Sequence, residues 1–161
     1  MRFAANGVYT PSDGTFVNDT DRLQPAKDRI DWRKSVPDSD LPQLYSQATV
    51  LLFASLNEGF GFPPLEAMAC GTPVVTSCVT SLPEICGDAA FLVEPTDSER
   101  IFEATRRLLT EPDLAESFSV VGRQRARKYT WAECAKSTLL AYRNAQESAS
   151  KDEEPSLLRA L

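Results

Sequence analysis

A chain of 161 residues, 42% hydrophobic and 25% charged, has the size and composition of one globular domain. Its net charge of −6 and its lack of histidine argue against a nucleic-acid partner, which needs clustered positive charge, and against a usual zinc site, because Cys70, Cys78, Cys86 and Cys134 form no Cys-x-x-Cys pair. Neither a signal-peptide run at Met1-Arg2-Phe3-Ala4-Ala5-Asn6-Gly7 nor a membrane span of roughly 20 apolar residues is present, so the expectation is a cytoplasmic protein with no transmembrane segment and buried, free thiols.

Residues 1–29 bring Asn, Asp, Thr, Pro and Gly in quick succession and read as an irregular N-terminal segment. The ordered domain is expected over residues 30–145. Asp40 is placed to cap a short helix with the apolar face Leu41, Leu44, Tyr45 and Ala48, and Thr49 to Phe53 then reads as a parallel strand buried on both faces. After a glycine-rich loop, Pro63-Pro64 opens a helix through Leu65, Ala67, Met68 and Ala69, which Gly71 ends with Pro73 just beyond. Val74-Val75-Thr76 is the next strand, and the turn Leu82 to Cys86 leads to another at Ala89 to Val93.

Three helices follow. The first starts at the capping box Thr96-Asp97-Ser98-Glu99 and buries Ile101, Ala104, Leu108 and Leu109; the second follows Pro112 and buries Leu114, Phe118 and Val121. A basic cluster, Arg123 to Lys128, reads as its solvated end, where cations complement the helix dipole. The third opens on the box Thr130-Trp131-Ala132-Glu133 and sets Trp131, Cys134, Thr138, Leu139 and Tyr142 on one face. Residues 146–161 read as a flexible polar tail.

Strand and helix in alternation predict an α/β fold, a Rossmann-like parallel sheet with flanking helices. Three strands are readable where such domains usually carry five or six, so the sheet looks short on its N-terminal side.

The segment that carries chemistry runs from Ser55 to Gly71. It leaves a strand and opens a helix, the place where parallel sheets bind ligands. Gly59 and Gly61 let a ligand approach the backbone, and free N–H groups at the helix start favour an anion such as a diphosphate. Glu58 and Glu66 flank this bend as acceptors for sugar and ribose hydroxyls. By spacing alone, a tight strand-to-helix turn with two solvated glutamates fits equally well.

Several ordered blocks decide more. Asp40-Leu41-Pro42-Gln43-Leu44-Tyr45-Ser46-Gln47-Ala48, then Glu58-Gly59-Phe60-Gly61-Phe62-Pro63-Pro64-Leu65-Glu66-Ala67-Met68-Ala69-Cys70-Gly71-Thr72-Pro73-Val74-Val75, then Ser81-Leu82-Pro83-Glu84-Ile85-Cys86-Gly87-Asp88-Ala89-Ala90 and Tyr129-Thr130-Trp131 closely resemble the C-terminal, donor-binding domain of family 4 glycosyltransferases of the GT-B fold, over residues 36–145. The resemblance implies a retaining glycosyltransferase whose donor is a nucleotide diphosphate-sugar and which transfers a hexosyl group. Glu58 would be the catalytic residue holding hydroxyls of the transferred sugar, the backbone of Gly59, Phe60, Gly61 and Phe62 would line the sugar and diphosphate, Leu65 would offer its amide to a phosphate, and Glu66 would bind the ribose. No metal and no other cofactor is implied, since amides and basic side chains stabilise the departing diphosphate.

The chain departs from that pattern in residues 1–35, which show no counterpart of the domain's opening strand, glycine turn and diphosphate-clamping Arg and Lys; Arg33 and Lys34 lie too close to the Asp40 helix. It therefore reads as an incomplete C-terminal half of a GT-B fold. A non-catalytic or truncated subunit, needing an acceptor-domain partner chain or a homo-oligomer to close an open sheet edge, is the rival expectation. Asp19-Thr20-Asp21 and Asp38-Ser39-Asp40 spell a manganese-binding triplet, but a polar loop and a helix cap explain them better; no Gly-Lys-Ser or Gly-Lys-Thr follows the glycines for a P-loop, and no third glycine follows Gly61 for a dinucleotide fold.

Overall fold

A computed structural model of the chain describes residues 35–152, with the backbone alone for 150–152. The segment 1–29, the Asp19-Thr20-Asp21 triplet, Arg33, Lys34 and the end of the tail lie outside the described residues.

Three short parallel strands form the sheet: β1 (Leu51–Phe53), β2 (Val74–Ser77) and β3 (Phe91–Val93), in the order β1-β2-β3. Leu51 pairs with Val74 and Phe53 with Thr76, while Val75 pairs with Phe91 and Ser77 with Val93. β2, between its neighbours, has all four residues buried, as a central parallel strand should, and three of them, Val74, Val75 and Thr76, are β-branched. Helices α1 (Leu41–Gln47), α2 (Phe62–Cys70), α3 (Leu82–Cys86), α4 (Ser98–Thr110) and α5 (Pro112–Ala126) pack around it, and α6 (Trp131–Asp152) ends the described chain. Val74 packs with Ala67, Met68, Ile85, Cys86 and Ala126 in one core. Val75 and Val93 pack with Ala104 and Leu108 in a second, so the sheet is the middle of three layers.

Several expectations change. The first strand is not covered on both faces: Leu52 is 46% exposed, because α4 packs over β2 and β3, and β1 pairs with β2 alone among the described residues. Residues 82–86 are a short helix rather than a turn. Asp40 sits at the head of α1 but caps nothing, since Asp38–Asp40 is already a 3-10 turn; its backbone is helical (φ −95, ψ −16) and its carboxylate accepts from Ser39 Oγ at 3.0 Å. α4 is capped one residue later than the box implied, by Asp97, which accepts the Arg100 N–H at 3.0 Å. Thr130 does cap α6 by accepting the Glu133 N–H at 3.2 Å.

α6 itself leaves the body of the domain. Trp131 is 82% exposed and Tyr142 66%, so the apolar face read from the sequence is bare, and the helix runs on to Asp152, past the boundary expected at residue 145. The thiols also differ from expectation. Cys86 is buried, Cys70 is half-buried, and Cys78 and Cys134 are exposed because one follows the end of β2 and the other rides on α6.

Candidate functional site

The glycine loop leaves β1 at the carboxyl end of the sheet and is held there by hydroxyls. Thr76 Oγ1 donates to Phe53 O at 2.9 Å and Ser77 Oγ to Ser55 O at 2.6 Å. Beyond β2, Thr80 Oγ1 accepts the Glu58 N–H at 3.1 Å, and Ser81 Oγ lies 3.1 Å from Glu58 O and 2.8 Å from Phe60 O. Gly61 then turns the chain into α2 with φ +110, which favours glycine, and a Cβ there would lie 2.8 Å from Leu82 Cδ2, so the leucine side chain would have to shift. At Gly59 the same construction meets nothing within 4 Å, so packing does not explain that glycine.

The start of α2 is chemically unusual. Pro63 and Pro64 carry no N–H, so the first turn has few donors to offer. The Leu65 N–H, expected to serve a phosphate, donates to Gly61 O at 3.3 Å. What remains is a run of four successive amides, Gly59, Phe60, Gly61 and Phe62, none of which donates to another group among the described residues. Main-chain amides without protein partners are costly to bury and favourable beside an anion. Phe60 and Phe62 stack with centroids 4.7 Å apart, and Phe60 meets Tyr129 edge-on at 6.2 Å. Tyr129 OH in turn donates to Glu84 O at 3.0 Å.

Glu58 and Glu66 are both half-buried. Glu58 is fixed through its backbone, as above. Glu66, in the second turn of α2, accepts from Tyr45 OH at 3.2 Å, while Thr72 Oγ1 donates to Tyr45 O at 2.6 Å. Burial, then the negative charge and hydrogen bond of Glu66, push the Tyr45 phenol up to about 12, so it stays a donor at any ordinary pH.

Tyr45, Thr80 and Ser81 were not singled out from the sequence. By spacing Tyr45 belongs to the apolar face of α1, and a hydroxyl carries no period that marks it as a loop anchor. Thr80 is the one non-glycine residue with positive φ (54) among the described residues, a backbone feature invisible in the sequence. The basic cluster is also corrected: Arg125 does not end in solvent but donates from Nε to Ile85 O at 2.6 Å and from Nη2 to Glu84 O at 2.5 Å, closing the C-terminal carbonyls of α3. A shallow cleft lined by Ala69, Arg123, Ala126 and Arg127 lies at the far end of α2 from the glycine loop. No helix among the described residues is long and apolar enough to cross a membrane.

Comparison with known proteins agrees with this architecture. The family described as glycosyl transferases group 1 matches residues 23–125. O-antigen chain mannosyltransferase B of Escherichia coli is 43% identical over 108 residues, which cover 67% of this chain and 28% of that protein. Among solved structures, sucrose-phosphate synthase from Thermosynechococcus elongatus superimposes with a TM-score of 0.70 at 28% identity, over 90% of this chain and 38% of that one. The C-terminal domain of a glycosyl transferase group 1 family protein from Francisella tularensis gives a TM-score of 0.60 at 29% identity, over 74% of this chain and 64% of that one. The chain thus spans little more than a quarter of the length of the first of these relatives, and corresponds to the C-terminal domain of the GT-B fold.

Proposed function

The chain belongs to the family of group 1 glycosyl transferases, and on that premise we propose that it is the donor-binding part of a retaining transferase, holding a nucleotide diphosphate-sugar while a hexosyl group passes to an acceptor. The observation that carries this reading is the run of amides from Gly59 to Phe62, without partners among the described residues, between two half-buried carboxylates at the carboxyl end of a parallel sheet. The amides face the diphosphate and the sugar, Glu58 takes hydroxyls of the transferred hexose, and Glu66, oriented by Tyr45, takes the ribose. Rate comes from positioning and from stabilising charge on the leaving diphosphate by fixed dipoles. The mannosyltransferase relative favours a hexose donor, and a cytoplasmic setting, where nucleotide sugars are at hand, belongs to the same proposal.

A second reading, a subunit that needs an acceptor-domain partner chain or a second copy of itself for activity, is favoured by the bare face of α6 and the exposed Leu52 on β1. The experiment that tests the first is calorimetric titration of the chain with a panel of UDP-, GDP- and ADP-sugars. Binding of one of them, abolished by Glu66→Ala, supports a donor site; no binding by any overturns it and leaves the subunit reading, which sedimentation velocity then tests as self-association.

A further inference from the structure

We propose that Ser81, assisted by Thr80, is a positioning residue of the donor site, drawing the carbonyls of Glu58 and Phe60 to one side so that the amides of Gly59 and Gly61 face a bound anion on the other. This rests on the donor-site reading above. Ser81 occupies the N-cap position of α3, where a serine hydroxyl ordinarily accepts an amide proton of the first turn. Here it makes no such bond, and Pro83 has removed one of the amides it would have served. The hydroxyl instead reaches Phe60 O at 2.8 Å and Glu58 O at 3.1 Å, across more than twenty residues of sequence.

The consequence follows from peptide geometry. In a planar trans peptide the C=O of one residue and the N–H of the next point in opposite directions. With the carbonyls of Glu58 and Phe60 turned toward Ser81, the N–H groups of Gly59 and Gly61 turn away from it. Thr80 completes the clamp by accepting the Glu58 N–H at 3.1 Å, and does so from a left-handed backbone (φ 54) that a β-branched residue rarely adopts. Such strained residues gather where a precise geometry is needed for binding. Neither side chain touches the donor; both act through the loop.

The test compares wild type, Ser81→Ala, Ser81→Thr and Thr80→Val in the full chain, using whichever sugar nucleotide of the UDP, GDP and ADP panel the wild type binds, alongside the matching nucleoside. Ser81→Ala is expected to weaken the sugar nucleotide roughly tenfold, about the worth of one hydrogen bond shared between two carbonyls, while leaving the nucleoside affinity unchanged. Ser81→Thr, which keeps the hydroxyl, restores binding. Thr80→Val keeps the shape and loses the acceptor, and is expected to show the same selective loss at about threefold; it carries the test if Ser81→Ala does not fold. Equal affinity in wild type and variants overturns the proposal, as does a parallel loss for nucleoside and sugar nucleotide that tracks a lower melting temperature. Failure of wild type to bind any sugar nucleotide removes the donor reading itself, an outcome distinct from a variant that binds normally.

Discussion

Tyr45 OH donates to a carboxylate oxygen of Glu66 across 3.2 Å, tying the short helix α1 to the second turn of α2. The bond holds one Glu66 oxygen in place, and the other has no partner among the described residues, as the proposed ribose contact requires. Replacing Tyr45 by Phe is expected to weaken sugar-nucleotide binding by about tenfold, the worth of one hydrogen bond to a charged group, as read by calorimetry.

The buried Tyr45 phenol, beside the Glu66 charge, also has an alkaline signature. The phenol is raised from 10.0 to about 12 in the folded protein, so both states are protonated below pH 10 and the stabilisation is complete there. As pH rises from about 10 to about 12 the unfolded chain ionises first and that stability is lost. Thermal melts of wild type against Tyr45→Phe across this window should show an extra decline in the wild type; parallel curves would refute it.

Glu66→Ala is expected to lower sugar-nucleotide affinity by about 10- to 100-fold, with a melting temperature within about 3 °C of wild type, since the side chain is only half-buried and its partner can turn to water. A large drop in melting temperature with unchanged affinity would mark Glu66 as structural.

The two loop glycines should separate. Gly61→Ala forces a Cβ to φ +110 and to 2.8 Å from Leu82 Cδ2, and is expected to cost about 1–3 kcal/mol of stability by denaturant titration. Gly59→Ala meets no neighbour within 4 Å and should change stability by less than about 0.5 kcal/mol. Its effect should appear in donor affinity, where a methyl group intrudes on the ligand.

Thiol titration with a chromogenic disulfide should find Cys78 and Cys134 fast, Cys70 slower, and Cys86 unreactive until the chain unfolds. Burial pushes the Cys86 thiol up to about 11 despite the nearby charge of Arg125, which withholds the reactive thiolate. Four equally fast thiols in native buffer would contradict the fold around β2 and α3.

Truncation after Thr130 is expected to leave the melting temperature of the remainder within about 3 °C, because residues 131–149 of α6 are all exposed. It keeps Tyr129, whose hydroxyl holds Glu84 O at 3.0 Å. A cooperative loss of structure would show that α6 is part of the core.

How much of this was legible depends on the kind of interaction. Helix α2 was readable end to end, because Pro63, Pro64 and Gly71 act through their own backbone: Gly71 takes φ +84 and its N–H closes the helix on Met68 O. The strands were readable as apolar runs, but β1's two-sided burial was not, since a run of apolar residues does not say how many neighbours the sheet supplies. Asp40 and Thr96 looked like caps by composition; which residue caps depends on the φ and ψ of the residue itself, and Asp97 had the right backbone where Asp40 did not. Arg125 looked solvated because its carbonyl partners lie about forty residues away in the chain.

Local chemistry thus wrote the glycine bend, the flanking glutamates and the alternation of strand and helix into the sequence, since each depends on neighbours within a few positions. Only the folded chain decided where the bend's carbonyls point, which hydroxyls hold them, that Leu65 spends its amide on Gly61, and that α6 stands clear of the body. Those outcomes come from groups brought together by the packing of β1 against β2 and α1 against α2, and a hydrogen bond between distant residues leaves no periodic mark on the residues that make it.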